Sequence, residues 1–415
     1  MKDIFDKCYQ ISDAKLAKSL DIYPYFHQLE SKQDTIVKMQ GHEVIMLGSN
    51  NYLSLTSHSE VIEAGINAFK NYGSGVSGSR FLNGTTDLHI NLEQDLASFL
   101  KKPRCLIFSS GYTTNLGVLS CIASRSDVIL CDRENHASIY DGIKLGNAKF
   151  VRYYHSDMED LEMRLKEIPE TSGALIITDG VFSMSGEICK LPEIVALAKK
   201  YGAKVMVDDA HGLGVLGKNG RGTAEHFGLE DDVDLIMGTF SKTLASIGGY
   251  VCGSKEVIEF IMHQSRPFIF SAALPPSAIE AARCALGLLI KNPALVKKVN
   301  DISNYARTKM LQNNLKIGGH TDIPIIPIYS YGKMRTLLAA KILFEQGVYV
   351  NPVIPPATSE NECLLRTSYQ AEHTKEQIDK AIGIITKVLS DLPVTETEVL
   401  DLLTAQAKNK KSRIV

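Results

Sequence analysis

Two apolar runs in this chain stop at residues that can do chemistry. The run Val233-Asp-Leu-Ile-Met237 leads into Gly238-Thr-Phe-Ser-Lys-Thr243 and presents the amine of Lys242. The earlier run Val205-Met-Val207 ends in Asp208 and Asp209, followed by Ala210 and His211. Ligands of open α/β sheets bind beyond the carboxyl ends of the strands, so these two strand ends define a candidate site. Most lysines are solvated surface groups. The second strand end, with two carboxylates and an imidazole, lifts Lys242 above that background.

An amine that condenses with carbonyls, beside a buried carboxylate aimed at a ring nitrogen, is what pyridoxal phosphate chemistry requires. The amine holds the aldehyde. A nearby carboxylate keeps the pyridine nitrogen protonated, and the ring then draws electrons from a substrate carbon. Other segments fit the same reading. Ser109-Ser-Gly-Tyr-Thr-Thr-Asn115 follows an apolar run and opens a helix, a junction whose backbone amides can bind phosphate, although a plain glycine turn looks the same. His136, in Asn135-His-Ala-Ser-Ile139, follows the run ending Cys131-Asp132. A lone histidine is more often structural; its place past a strand end favours a role in a site. Arg366, in Leu364-Leu-Arg-Thr-Ser368, ends another apolar run, and its planar fork suits a carboxylate. A surface ion pair is the plain alternative there.

Val207-Asp-Asp-Ala-His211 followed by Gly238-Thr-Phe-Ser-Lys242 resembles the α-oxoamine synthase family of pyridoxal phosphate enzymes, and the likeness extends from about residue 25 to about residue 388. Within the family it is greatest to the soluble bacterial serine palmitoyltransferases. The resemblance implies the aspartate-aminotransferase-like architecture, fold type I. It assigns the Schiff-base amine to Lys242, the ring-nitrogen partner to Asp208, and a hydrogen bond to the ring hydroxyl to His211. His136 would stack on the ring and Ser183 would border its oxygen. Gly111 and Tyr112 would supply phosphate-binding amides, completed by Thr239 and Ser241, with Ser271 of Phe270-Ser-Ala-Ala273 arriving from a partner subunit. Asn51 and Arg366 would contact the substrate carboxylate. Two positions depart from the pattern. Ile354 stands where some serine palmitoyltransferases carry an arginine before the two prolines, and Gly212 where many relatives have serine.

The implied reaction is a decarboxylative condensation of L-serine with a long-chain acyl-CoA such as palmitoyl-CoA, giving 3-ketosphinganine, the first step of sphingolipid synthesis. Glycine C-acetyltransferase and 8-amino-7-oxononanoate synthase are the alternatives inside the family. A catalytically inactive partner subunit should lack the lysine, and Lys242 is present. A nicotinamide dehydrogenase would need one of two G-x-G-x-x-G matches. Gly73 to Gly78 follows a helical pattern, not a strand, and Gly212 to Gly217 lacks the acidic strand end downstream.

The rest of the chain must position these groups. Its 415 residues can bury a large core, and 44% apolar with 22% charged residues is ordinary for a globular protein. A net charge of −2 gives no basic field for nucleic acid. Eight cysteines without a C-x-x-C pair read as free thiols, with no metal site expected. No secretory or membrane-spanning run is evident, so a cytoplasmic protein is expected. Residues 1–50 read as a helical arm and a small hairpin, Thr35–Met39 with Val44–Leu47, turning at Gln40-Gly41. From 51 to 292 short apolar runs alternate with helical patterns such as Leu191–Tyr201, which predicts a mostly parallel, helix-covered sheet carrying the cofactor. Residues 293–400 predict a smaller α+β domain. Its run Ile323-Pro-Ile-Ile-Pro-Ile328 holds two prolines and is expected at a sheet edge. The basic tail, 401–415, leaves a peripheral membrane contact open. A homodimer with shared active sites is the implied assembly.

Overall fold

A computed structural model describes residues 1–10 and 12–412, with only the helical backbone given for 406–412; the side chains of the basic tail lie outside the described residues. Near the N-terminus β1 (Ile36–Met39) and β2 (His42–Met46) form the expected hairpin, turning at Gln40 and Gly41, both with positive φ. Positive φ is cheap at glycine, which is why Gln40-Gly41 reads as a turn.

The large sheet contains β3 (Arg104–Phe108), β4 (Val128–Asp132), β5 (Lys149–Tyr153), β6 (Ala174–Asp179), β7 (Lys204–Asp208), β8 (Leu235–Thr239) and β9 (Gly249–Gly253). Their order is β3-β9-β8-β7-β6-β4-β5, and only β9 runs antiparallel to its neighbours. Because side chains alternate across a strand, one strand feeds two cores. Val205 and Val207 enter the core on one face while Met206 enters the core on the other; Ile107 and Leu106 divide the same way. With both faces covered, the strands are apolar almost throughout, as in parallel sheets generally. The helix Leu191–Tyr201 illustrates the connections. Pro192 sits in its first turn, Gly202 ends it at φ 70°, and Leu191, Ile194, Val195 and Ala198 are its buried residues.

A second core belongs to the C-terminal part. β10 (Ile325–Tyr329), β13 (Leu364–Ser368) and β12 (Asn351–Val353) form an antiparallel sheet in the order β10-β13-β12. β10 is therefore at an edge, where Pro327 removes no central hydrogen bond. The apolar run at 348–353 is split between two sheets. β11 (Val348–Tyr349) pairs in parallel with β2, whereas β12 pairs with β13. The N-terminal hairpin is thereby hydrogen-bonded to the C-terminal part, through Ile45 N–H to Gly347 O and Leu47 N–H to Tyr349 O, each 2.9 Å. Ala17 and Ile22 of the arm are buried in the same core. The last helix, Glu396–Ser412, buries Val399 and Leu403 there.

Candidate active site

The carboxyl ends of β6, β7 and β8 bring Asp179, Asp208 and Thr239 together, with Asp179 in register opposite Asp208. A cavity of about 350 Å³ opens at this edge, lined by Gly111, Tyr112, His136, Ser183, Asp208, His211, Thr239, Ser241 and Lys242 among others. Neither glycine-rich match lines it. Gly73 caps the helix Ser59–Tyr72 at φ 82°. A Cβ on Gly212 would meet Asp209 Oδ1 at 1.8 Å, so that glycine serves the packing of a buried carboxylate.

Lys242 stands on the cavity wall. Burial pushes its ammonium down to about 8, against the opposing pull of Asp208. Asp208 is buried, and its oxygens accept from Asn115 Nδ2 at 2.7 Å and Ala210 N–H at 3.1 Å. Asp209 points away from the cavity chemistry, accepting from Thr223 N–H at 2.7 Å and Thr223 Oγ1 at 2.6 Å. His211 is buried and its pKa lies well below the ordinary value, first through burial and then through the Lys242 and Arg366 cations. Its Nδ1 is 2.6 Å from the hydroxyl of Tyr52, a phenol that burial pushes up to about 12. His136 is the N-cap of the helix Ala137–Leu145, and burial lowers its pKa as well. Both shifts favour the neutral imidazole.

Across from the sheet edge, the helix Gly111–Ile122 points its N-terminus at the cavity. Its cap, Ser110 Oγ, accepts from Thr113 N–H at 3.1 Å, and the amides of Gly111 and Tyr112 make no hydrogen bond among the described residues. The cradle is tight: a Cβ on Gly111 would lie 2.9 Å from Thr239 Cβ. Thr239 Oγ1 donates to Gly248 O at 2.9 Å and lies 3.0 Å from Ser241 Oγ. Two open amides at a helix N-terminus, flanked by hydroxyls, suit a phosphate. With an amine of lowered pKa and a fixed carboxylate, the donor set fits pyridoxal phosphate.

Arg366, buried midway along β13, the central strand of the small sheet, bonds only neutral acceptors: the Ser183 carbonyl, Ser368 Oγ at 2.8 Å and Asn50 Oδ1 at 2.9 Å. A buried guanidinium without a carboxylate partner among the described residues is a site for an anion. Asn51, expected at the substrate carboxylate, is held by bonds within the chain. Asn51 donates to Gln370 Oε1 at 3.0 Å and accepts from Thr56 N–H at 3.3 Å, which uses both ends of its amide inside the chain. The asparagine on Arg366 is Asn50. Ser271 does not line the cavity; it adjoins the bridge between Ser79 and Ala272. Sequence reading missed Asn50, Tyr52, Asn115, Ser138 and Asp179. Signals existed for some of them. Asn115 lies one helical turn beyond Gly111, and Asp179 ends an apolar run as Asp208 does.

The aminotransferase class I and II pattern matches residues 42–385. The chain belongs to that family. It is 49% identical to the serine palmitoyltransferase of Bacteroides thetaiotaomicron over 371 residues, covering 89% of this chain and 94% of that protein. It is 42% identical to the 8-amino-7-oxononanoate synthase 1 of Bacillus velezensis, covering 88% and 93%. A solved structure of SPT with PLP superposes with a TM-score of 0.90 at 34% identity, over 95% of this chain and 100% of that one. The family accounts for the cavity at the sheet edge and for the two-core architecture around it.

Proposed function

We propose that this protein is a pyridoxal-phosphate-dependent acyltransferase that condenses L-serine with a long-chain acyl-CoA, releasing CoA and carbon dioxide. The observation that carries the reading is the cavity in which Lys242, Asp208, His136 and His211 meet, with the unpaired Arg366 guanidinium beside Ser183. Lys242 would hold the cofactor, Gly111 and Tyr112 with Thr239 and Ser241 would hold its phosphate, and Asp208 would hold a proton at the ring nitrogen. His136 would lie against the ring, and His211 would bond its hydroxyl. Pyridoxal phosphate, when bound, supplies the electron sink for negative charge at the amino acid α-carbon.

The remaining work belongs to the chain. Arg366 and Asn50 orient the serine carboxylate. Lys242 Nζ, a competent base with its pKa near 8, takes the α-proton. The carbon–carbon bond would form as the CoA thiolate leaves; the carboxylate would then be lost as carbon dioxide, and the proton held on Lys242 would return to that carbon. The assembly is a homodimer, with Ser271 contributed to the partner's phosphate site. Among the described residues no helix is long and apolar enough to cross a membrane, and a cytoplasmic location is part of the proposal.

The test is kcat/KM for serine, glycine and alanine, each with acetyl-, pimeloyl- and palmitoyl-CoA. A buried methylene contributes about 0.8 kcal/mol, so a long-chain site should favour palmitoyl- over acetyl-CoA by orders of magnitude. Preference for alanine with pimeloyl-CoA would make the chain an 8-amino-7-oxononanoate synthase, and preference for glycine with acetyl-CoA a glycine C-acetyltransferase.

A further inference from the structure

Two polar side chains of the cavity wall have no part in the roles above, and together they join two residues that do. Asn115, buried on the helix Gly111–Ile122, donates its amide nitrogen to Asp208 Oδ2 at 2.7 Å and to Ser138 Oγ at 2.9 Å. An ionised carboxylate only accepts, so the amide must present nitrogen, not oxygen, to Asp208. Ser138, also buried, thus receives a hydrogen bond and has one hydrogen of its own to give. That hydrogen goes to His136 Nδ1, 2.7 Å away. The Ser138 backbone N–H points at the same nitrogen from 3.3 Å, because His136 caps the helix that Ser138 begins. Two donors converge on Nδ1, which must then carry a lone pair.

We propose that Asn115 and Ser138 are positioning residues that hold His136 as the tautomer protonated on Nε2, with Asn115 itself oriented by its hydrogen bond to Asp208. The inference rests on the proposed function for its consequence, not for its geometry. Nε2 bonds nothing among the described residues on a side chain that lines the cavity. With its proton there, the imidazole offers a donor to an anionic oxygen in the cavity. The opposite tautomer would set a lone pair against that oxygen. The charged and titratable groups facing His136 are Asp208, Lys242, His211, Asp179, which accepts its backbone N–H at 3.4 Å, and Tyr112, whose ring lies 6.3 Å away edge-on. None of them bonds Nδ1, so the two Ser138 donors set the tautomer, the hydroxyl at 2.7 Å as the closer and the backbone N–H at 3.3 Å as the weaker.

The test uses holoenzyme labelled with 15N-histidine, with His136 identified by difference from His136→Gln. Two-bond 15N–1H correlations read which ring nitrogen carries hydrogen. Wild type should show His136 protonated on Nε2 alone. Ser138→Ala, which leaves only the weaker backbone donor on Nδ1, should show a measurable share of the proton moving to Nδ1, and the acid limb of the kcat/KM profile for the amino acid should move up by about one pH unit. Ser138→Thr, which keeps the hydroxyl, should restore the wild-type pattern. Asn115→Asp keeps the shape but makes an acceptor of the atom facing Ser138; the serine should then give its hydrogen to residue 115, and the preference of His136 for Nε2 should weaken. An unchanged Nε2-protonated signal in both Ser138→Ala and Asn115→Asp would overturn the proposal. The functional reading is judged separately by wild-type turnover, because the tautomer is read without it.

Discussion

Burial of Lys242 has a direct kinetic consequence. Its pKa of about 8, against an ordinary 10.5, leaves roughly a tenth of the amine free at pH 7, a few hundred times the share of an ordinary lysine. In protein stripped of cofactor, the rate of recombination with added pyridoxal phosphate should rise with pH through a midpoint near 8. The rise is read from the absorbance of the lysine-bound cofactor, and a midpoint near the ordinary lysine value would contradict the burial argument. Arg366 makes a second prediction. Bonds to a charged group contribute roughly 1.5–3 kcal/mol, so Arg366→Leu should raise KM for serine by roughly 10- to 150-fold. KM for the acyl-CoA should move much less. Equal changes in both constants would mean that the guanidinium supports the fold and does not hold the amino acid.

At the scale of elements, the turn after β6 and the turn after β7 carry the site, and each has its own support. His155 donates to Asp132, at the end of β4, and to Glu187, in the loop after β6, each at 2.9 Å. Burial alone would lower its pKa, but the two carboxylates outweigh burial and lift it to about 10. A histidine whose folded pKa is raised contributes stability that is complete below its unfolded value of 6.5. That contribution is lost as pH rises towards 10. Wild-type Tm should therefore fall from about pH 7 to about pH 10 more steeply than the Tm of His155→Gln. Parallel curves would show that the pair is too well solvated to matter. Beyond β7, Asp209 fills the space that side chains on Gly180, Gly212 and Gly222 would occupy. Gly212→Ser should displace that carboxylate and cost about 1–3 kcal/mol of stability, with weaker cofactor retention because Asp208 and His211 flank the disturbed turn. A serine tolerated with unchanged Tm and cofactor content would mean the turn relaxes freely.

At the scale of the molecule, the segments around Gly78 and Ser271 are bonded to each other, through Ala273 N–H to Gly78 O at 2.9 Å. They expose Phe81, Leu82 and Phe270, and Ile247 is exposed at the cavity itself. Large apolar side chains left exposed beside a site fit an interface. The expected occupant is a second copy of the chain, delivering Ser271 to its partner. Chains carrying Lys242→Ala and chains carrying Ser271→Glu should each be inactive alone. Mixed and re-associated, they should regain partial turnover, since one site of the heterodimer is then intact. No recovery in a verified heterodimer would place Ser271 in its own chain's site.

What the sequence by itself determined is the chemistry and the sheet. Strands buried on both faces are continuous apolar runs, and their ends are marked by the residues they deliver, so Asp208, His211, Thr239 and Lys242 could be read in order along the chain. The edge position of β10 was legible for a similar local reason, since proline cannot donate to a ladder. Tertiary structure alone decided which neighbour faces which. Asn50 and Asn51 are adjacent, and a one-residue change of facing separates the Arg366 partner from a structural amide tied to Gln370. The contacts Tyr52–His211, Asn115–Asp208 and Arg366–Ser183 join residues 159, 93 and 183 positions apart. Periodicity and turn chemistry report on a few neighbouring residues and hold no information about such pairs. The division of the 348–353 run between two sheets has the same origin: the partners that split it, β2 and β13, lie on either side of it in the chain.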